Sequence, residues 1–221
     1  MDPKYDVAIF SDGSDRRKSV GRIHAKNQVS TFNRSKKGEI AVRTQEKRGI
    51  IVITGAMASG KSTVAQLLAE KFNKGVHLRG DTFRRMIVSG REEMLQDSEG
   101  EAIKQLRLRH QITAAAADAY FEAGFNVVIQ DVIIGSMLQE TIDFIRNRPL
   151  YVIVLTPSQE IIACREAARP KKGYGLWTIA ELDRRLREET PKIGMWLNSS
   201  DQTAEETVEQ IWQEAWKEAV V

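Results

Sequence analysis

Gly49-Ile50-Ile51-Val52-Ile53-Thr54-Gly55-Ala56-Met57-Ala58-Ser59-Gly60-Lys61-Ser62-Thr63 is the stretch whose reading decides the fold. Residues 55–62 complete the pattern G-x-x-x-x-G-K-[ST], a loop whose backbone N–H groups wrap phosphates at the start of a helix. Gly55 and Gly60 permit backbone angles that a Cβ blocks. The Lys61 ammonium reaches the β- and γ-phosphates as a point charge, and the Ser62 hydroxyl is suited to Mg²⁺. The flanks agree with that reading. Residues 50–54 form a β-branched apolar run, as in a parallel strand buried on both faces. Val64, Leu67, Leu68 and Phe72 then recur at helical spacing and predict a helix over 61–72. The nucleotide-binding set is therefore Gly55, Ala56, Met57, Ala58, Ser59, Gly60, Lys61, Ser62 and Thr63.

Strand and helix patterns alternate from Gly49 onward, which predicts a parallel sheet with helices on both faces. Strands are expected at 50–54, 76–79, 126–130, 150–155 and 195–198. Helices are expected at 61–72, 82–88, 101–123, 136–146, 159–168 and 179–189. The chain closes with a helix to about Lys217, opened by the capping box Thr203-Ala204-Glu205-Glu206. Residues 49–221 form the expected nucleotide-binding domain. Residues 1–48 form a separate basic extension, with 14 apolar residues, too few for a core. Strands at 5–10 and 40–43 with turns at Asp12-Gly13 and 33–38 give it the reading of a partly disordered segment or an extra hairpin. It holds twelve Lys/Arg against six Asp/Glu, a net of +6; the whole chain is +3, so the rest is −3. The basic balance belongs to the extension and is not by itself a mark of a nucleic-acid enzyme.

One cysteine, Cys164, excludes an internal disulfide framework, and no apolar run is long enough to span a bilayer. The start of the chain lacks the pattern of a signal peptide, so a cytoplasmic protein without membrane attachment is expected.

Ligands in an open α/β sheet collect at the carboxyl ends of strands. Three segments meet there: the phosphate loop, Gly80-Asp81 after the second strand, and Asp131 after the third. Asp81 suits a residue that accepts or orients an acceptor hydroxyl, or else caps the helix that follows. Asp131 suits Mg²⁺, directly or through water. The opposite assignment, Asp131 as base and Asp81 as substrate contact, stays open. Arg84 and Arg85 are placed to grip an acceptor or shape its pocket. Arg165 and Arg169 lie four apart before Pro170, Lys171 and Lys172, as in a lid that brings Arg to transition-state charge. His24, His77 and His110 have no metal-ligand spacing. Trp212 and Trp216 are expected to dock the last helix, and Trp177 to wall the acceptor site.

This order of parts, with Asn198-Ser199-Ser200 leading into the last helix, resembles the small P-loop kinases over roughly 49–215. The resemblance is to the group holding chloramphenicol phosphotransferase, gluconate kinase and shikimate kinase. The nearest likeness is to the first, through Arg165-Glu166-Ala167-Ala168-Arg169 and the run 199–207. It implies a three-layer α/β/α P-loop NTPase fold of nucleoside-kinase type with five parallel strands. It also implies ATP and Mg²⁺, and γ-phosphate transfer to a small-molecule hydroxyl. On that basis Asp81 matches the base position and Asn198 lies near the adenine. No Gly-Gly-Gly substrate loop is present, which argues against shikimate, and Pro170-Lys171-Lys172 departs from the expected lid. Two alternatives stand beside this reading. One is a nucleoside, nucleotide or polynucleotide-end kinase, the only reading that brings in nucleic acid. The other is a regulatory nucleotide-binding module with weak ATPase activity. A monomer or homodimer is expected.

Overall fold

The computed structural model describes residues 47–95, 98–170 and 173–221. The strands and turns expected within 1–46, and the lysines 171 and 172, lie outside the described residues.

Five parallel strands form one sheet in the order β2-β3-β1-β4-β5. They are β1 (Ile50–Gly55), β2 (Gly75–Arg79), β3 (Asn126–Gln130), β4 (Leu150–Leu155) and β5 (Met195–Leu197). The central strands β1 and β4 are buried at every residue, which is why each reads as a continuous apolar run. Their side chains alternate between two cores. Ile50, Val52, Val127, Ile129, Val152 and Val154 point to one face, against α3 (Glu101–Glu122) and α4 (Met137–Phe144). Ile51, Ile53, Val128, Ile153 and Leu155 point to the other, against α1 (Lys61–Glu70) and α7 (Ala204–Glu218). The layers are helix, sheet, helix, as the alternating pattern predicts.

The last helix is anchored as its sequence suggests. Thr203 Oγ1 accepts from Glu206 N at 3.1 Å and the Glu206 carboxylate accepts from Thr203 N at 2.8 Å. Such a cap contributes about 1 kcal/mol. Trp212 packs on Phe72 with ring centroids 5.1 Å apart, and Trp216 on Tyr151 at 5.0 Å. Among the described residues no helix is long and apolar enough to cross a membrane.

Several element ends depart from the sequence reading, whereas α5 (Gln159–Ala168) keeps the bounds expected for it. α1 stops at Glu70 rather than 72, because Lys71 and Phe72 close the last turn onto Leu68 and Ala69 carbonyls. α2 (Gly80–Arg85) begins two residues early and is short, so Asp81 sits in the first turn and Arg79 holds the capping position. Between α5 (Gln159–Ala168) and α6 (Ile179–Arg184) the chain leaves helix at Arg169, which takes an extended conformation. After α6, residues Arg185–Glu189 form a π-turn, closed where Thr190 Oγ1 donates to Arg185 O at 3.2 Å.

Candidate active site

A cavity of about 1450 Å³ opens at the carboxyl ends of β1, β2 and β3. The phosphate loop floors one end. Its curvature comes from Gly55 at φ 146°, Gly60 at φ 97° and, unforeseen from sequence, Ala58 at φ 59°. A side-chain-bearing residue in the left-handed region is strained, and such strain persists where the surroundings impose it. A Cβ on Gly55 would stand 2.5 Å from Leu155 O. Gly55 and Ala56 therefore lie beneath the loop, and the cavity wall begins at Met57.

Lys61 is 5% exposed. Its ammonium donates to Ala56 O at 2.6 Å and to Ser59 Oγ at 3.4 Å. Burial pushes its pKa down to about 7, Asp131 pulls it up, and Arg169 adds to the depression. A cation held in this state has one carbonyl and one hydroxyl where an ammonium in water has a full shell. The loop thus holds a buried cation with few partners.

Asp131 is buried and sits in a closed niche. Oδ1 accepts from Val132 N at 2.8 Å, and Arg109 Nε stands 2.9 Å from Oδ2. His110 Nε2 is 3.8 Å from the same oxygen. Gly80 forms the remaining wall: a Cβ there would fall 2.0 Å from Oδ2. Glycine precedes Asp81 because nothing larger fits against this carboxylate. Burial raises the Asp131 pKa, with Arg109 the main opposing influence. Thr141 Oγ1 donates to Met137 O at 2.7 Å, so His110 Nδ1–H donates to Thr141 Oγ1 at 3.1 Å. Burial, reinforced by Arg109, lowers the His110 pKa to about 3, so the ring is neutral. Arg109 and His110 were missed from sequence. They sit mid-helix in α3 among ordinary polar residues, and only the fold brings them to residue 131.

Ser62 is exposed to the cavity, and its hydroxyl donates to Gln130 Oε1 at 3.1 Å. Among the described residues no group of three His, Cys, Asp or Glu side chains forms a metal cage. A hydroxyl, an amide oxygen and a recessed carboxylate fit Mg²⁺, which keeps several waters and draws its other ligands from phosphates.

Asp81 lines the other part of the cavity. Arg84 Nε donates to Oδ1 at 3.0 Å and Arg85 Nε to Oδ2 at 2.7 Å. Burial alone would raise the Asp81 pKa, but these two hydrogen bonds and charges hold it below the usual carboxylate range. Arg84 Nη1 also donates to both oxygens of Glu93 at 2.8 Å. The Arg pair expected from sequence is therefore interlocked with Asp81. The N-cap alternative does not hold, since the capping residue is Arg79.

Arg165 and Arg169 line the cavity but do different things. Arg165 Nη2 donates to Ser199 O at 2.9 Å and Nη1 to Ser59 O at 3.3 Å, tying α5 to the loop and to the chain after β5. Arg169 lies past the helix end, so the two share no helix face; its Nη1 donates to Glu166 Oε2 at 3.1 Å. Glu166 also accepts from Gly173 N and from Tyr174 N. Burial opposes its ionisation, but those N–H groups and Arg169 hold its pKa down. Tyr174 Oη then donates to Met57 O at 2.9 Å, so Tyr174 is fastened to the phosphate loop. Trp177 lines the cavity, and its Nε1 donates to Met94 O at 2.9 Å. Asn198 turns away: it accepts from Ser200 Oγ at 2.6 Å and from Ser200 N at 3.1 Å, and the wall there is Ser199, Gln202 and Thr203.

Parallel β2-β3-β1-β4-β5 order, a phosphate loop after β1 and an Arg-bearing segment after α5 define a P-loop kinase fold. The family described as chloramphenicol phosphotransferase-like protein matches residues 48–216, and the chain belongs to it. It is thus a P-loop phosphotransferase by family, with a nucleotide-binding fold. None of the curated proteins matches the sequence. Among solved structures, an unliganded sugar kinase from Janibacter sp. HTCC2649 is 17% identical with a TM-score of 0.58, covering 76% of this chain and 94% of that one. The tunicamycin resistance protein of Deinococcus radiodurans is 14% identical with a TM-score of 0.56, covering 79% and 99%. The APS kinase of Mycobacterium tuberculosis, in complex with AMPPNP and APS, is 16% identical with a TM-score of 0.56, covering 75% and 96%. At these identities the likeness is one of fold.

Proposed function

We propose that the protein moves the γ-phosphate of ATP to a hydroxyl of a small molecule. The observation that carries this reading is one cavity lined by both the desolvated Lys61 and the clamped Asp81. Phosphoryl transfer asks for aligned reactants and neutralised charge more than for covalent chemistry. In this reading the N–H groups of residues 57–63 and Lys61 hold the phosphates. Ser62 and Asp131, directly or through water, would hold Mg²⁺, which would neutralise charge on the phosphate oxygens. Arg165 and Arg169 bring positive charge to the same cavity. Asp81 accepts the hydrogen bond of the attacking hydroxyl and aims its oxygen in line; Arg84 and Arg85 fix the carboxylate. Its lowered pKa makes Asp81 a weak base, which suits a loose transition state where the proton leaves late. The single Cys164 suits a reducing compartment, so we read the enzyme as cytoplasmic.

The test is a screen of labelled γ-phosphate transfer against pooled hydroxyl metabolites, nucleosides and antibiotics, with Lys61→Ala as control. Label in an organic phosphate that disappears in the variant is expected. Transfer undiminished in Lys61→Ala contradicts the mechanism.

A further inference from the structure

The cavity is larger than the roughly 300–1,000 Å³ of an ordinary small-molecule site, at about 1450 Å³. That leaves an acceptor compartment of substantial size beyond a nucleotide. Its lining holds two kinds of side chain. Ile103, Leu106, Ile134, Met137, Leu176 and Trp177 are apolar. Arg79, Arg84, Arg85, Arg107 and Arg109 are cationic, among the lining carboxylates Asp81, Glu93, Asp131 and Glu189.

The pairing shows where the surplus charge resides. Asp81 is shared between Arg84 and Arg85, and Glu93 between Arg84 and Arg91. Asp131 is taken by Arg109, and Arg107 reaches out of the cavity to Glu140. Arg79 has no ion pair and no side-chain hydrogen bond among the described residues. It stands at the end of β2, where its register partner is Gln130, the residue whose Oε1 receives the Ser62 hydroxyl. Arg79 is exposed, but as an unpaired arginine on a concave wall that already carries more guanidinium groups than carboxylates it raises the local potential for anions.

Resting on the phosphotransferase reading above, we infer that the acceptor is an amphipathic anion. It is a hydroxyl compound whose apolar body lies along the Ile103, Leu106, Ile134, Met137 and Trp177 wall. Its carboxylate, sulfate or phosphate group is held by Arg79. Asp81 cannot serve as the anion's partner, because like charges repel; it is left for the hydroxyl. The arrangement selects against two classes at once. A neutral apolar alcohol leaves Arg79 without a partner, and a small polar anion leaves the apolar wall wet.

The experiment uses the full chain with Mg²⁺ and labelled ATP. Acceptor pools are sorted four ways: anionic with an apolar body, neutral with an apolar body, anionic and polar, neutral and polar. The first pool is divided into carboxylates, sulfates and phosphates, which tells the source of the charge. AMPPNP affinity is measured separately by calorimetry. Label is expected in an anionic apolar pool at about tenfold or more the rate of its neutral counterpart, the scale of one charge-assisted pair. Arg79→Gln is expected to remove most of that preference, and Arg79→Lys to restore part of it, with AMPPNP affinity within about twofold of wild type. Label confined to neutral or to polar pools overturns the inference. So does an Arg79→Gln variant that weakens nucleotide and acceptor alike, which assigns Arg79 to the nucleotide. Tight AMPPNP binding with no label in any pool also overturns it, whereas a wild-type protein that binds no AMPPNP refutes the parent reading instead.

Discussion

Two parts of the cavity lining are built by different means. At the phosphate-loop end the backbone does the shaping: three residues at positive φ curve residues 55–60, and one buried lysine supplies the charge. Around Asp81, where we propose that the acceptor binds, the side chains hold one another. Asp81 is fixed by Arg84 and Arg85, Arg84 by Glu93, and Trp177 by a carbonyl 83 residues away at Met94. A backbone-built site is rigid and general, and it serves any acceptor. A side-chain-built site is specific and is redrawn by a few substitutions. Mutations at the first end are therefore expected to strike nucleotide and acceptor chemistry together, and those at the second to strike the acceptor alone.

Lys61→Ala gives the largest expected effect, a loss of about 10³-fold or more in transfer for any acceptor, with the fold intact by circular dichroism. Retained transfer with one acceptor and not another would erase the distinction between the ends. Asp81→Asn comes next. It keeps the shape but removes the charge that orients the hydroxyl, and kcat is expected to fall about 10²-fold. AMPPNP affinity by calorimetry should stay within about twofold; a parallel loss of nucleotide binding would place Asp81 at the wrong end. Gly80→Ala tests the joint between the ends. Its Cβ would meet Asp131 Oδ2 at 2.0 Å and push a buried carboxylate off Arg109. A cost of about 3 kcal/mol follows, read as a Tm lower by about 6–12 °C.

The smallest effect is in pH. Lys61 titrates at about 7 in the folded protein, depressed by burial, against 10.5 when unfolded. Between those values the unfolded chain binds the extra proton, so free-protein stability rises with pH across that window. Phosphate beside the ammonium favours its charged form. Nucleotide binding above pH 7 must then take up a proton, and affinity falls by up to about tenfold per pH unit. Calorimetry of AMPPNP binding at pH 8 in buffers of different ionisation enthalpy reads the uptake directly; proton release instead would put Lys61 outside the phosphate site.

The same contrast explains what was legible in the sequence. Residues 55–62 announce the loop because a backbone-built site needs glycines, lysine and a hydroxyl at fixed spacing. The apolar runs of β1 and β4 announce buried parallel strands for an equally local reason. Asp81 and Asp131 stand out because strand ends are where such a sheet gathers ligands, and both line the cavity. What stayed hidden depends on tertiary contacts. Arg109 and His110 reach Asp131 only when α3 lies across the sheet. Tyr174 meets Met57 across 117 residues. Spacing placed Arg165 and Arg169 on one helix face, but the Glu166 carboxylate draws in the N–H groups of Gly173 and Tyr174, and the chain leaves helix at Arg169. Asn198 was drawn to the adenine by resemblance, while its side chain is spent on Ser200.

The central claim is transfer, as opposed to binding or hydrolysis. Parallel incubations of the protein with ATP labelled at the γ-phosphate or at the α-phosphate, in a deproteinised mixture of hydroxyl metabolites, test it most directly. The account predicts γ-label in an acid-stable organic phosphate and α-label only in adenine nucleotides. γ-Label recovered solely as inorganic phosphate, at any rate, would contradict it.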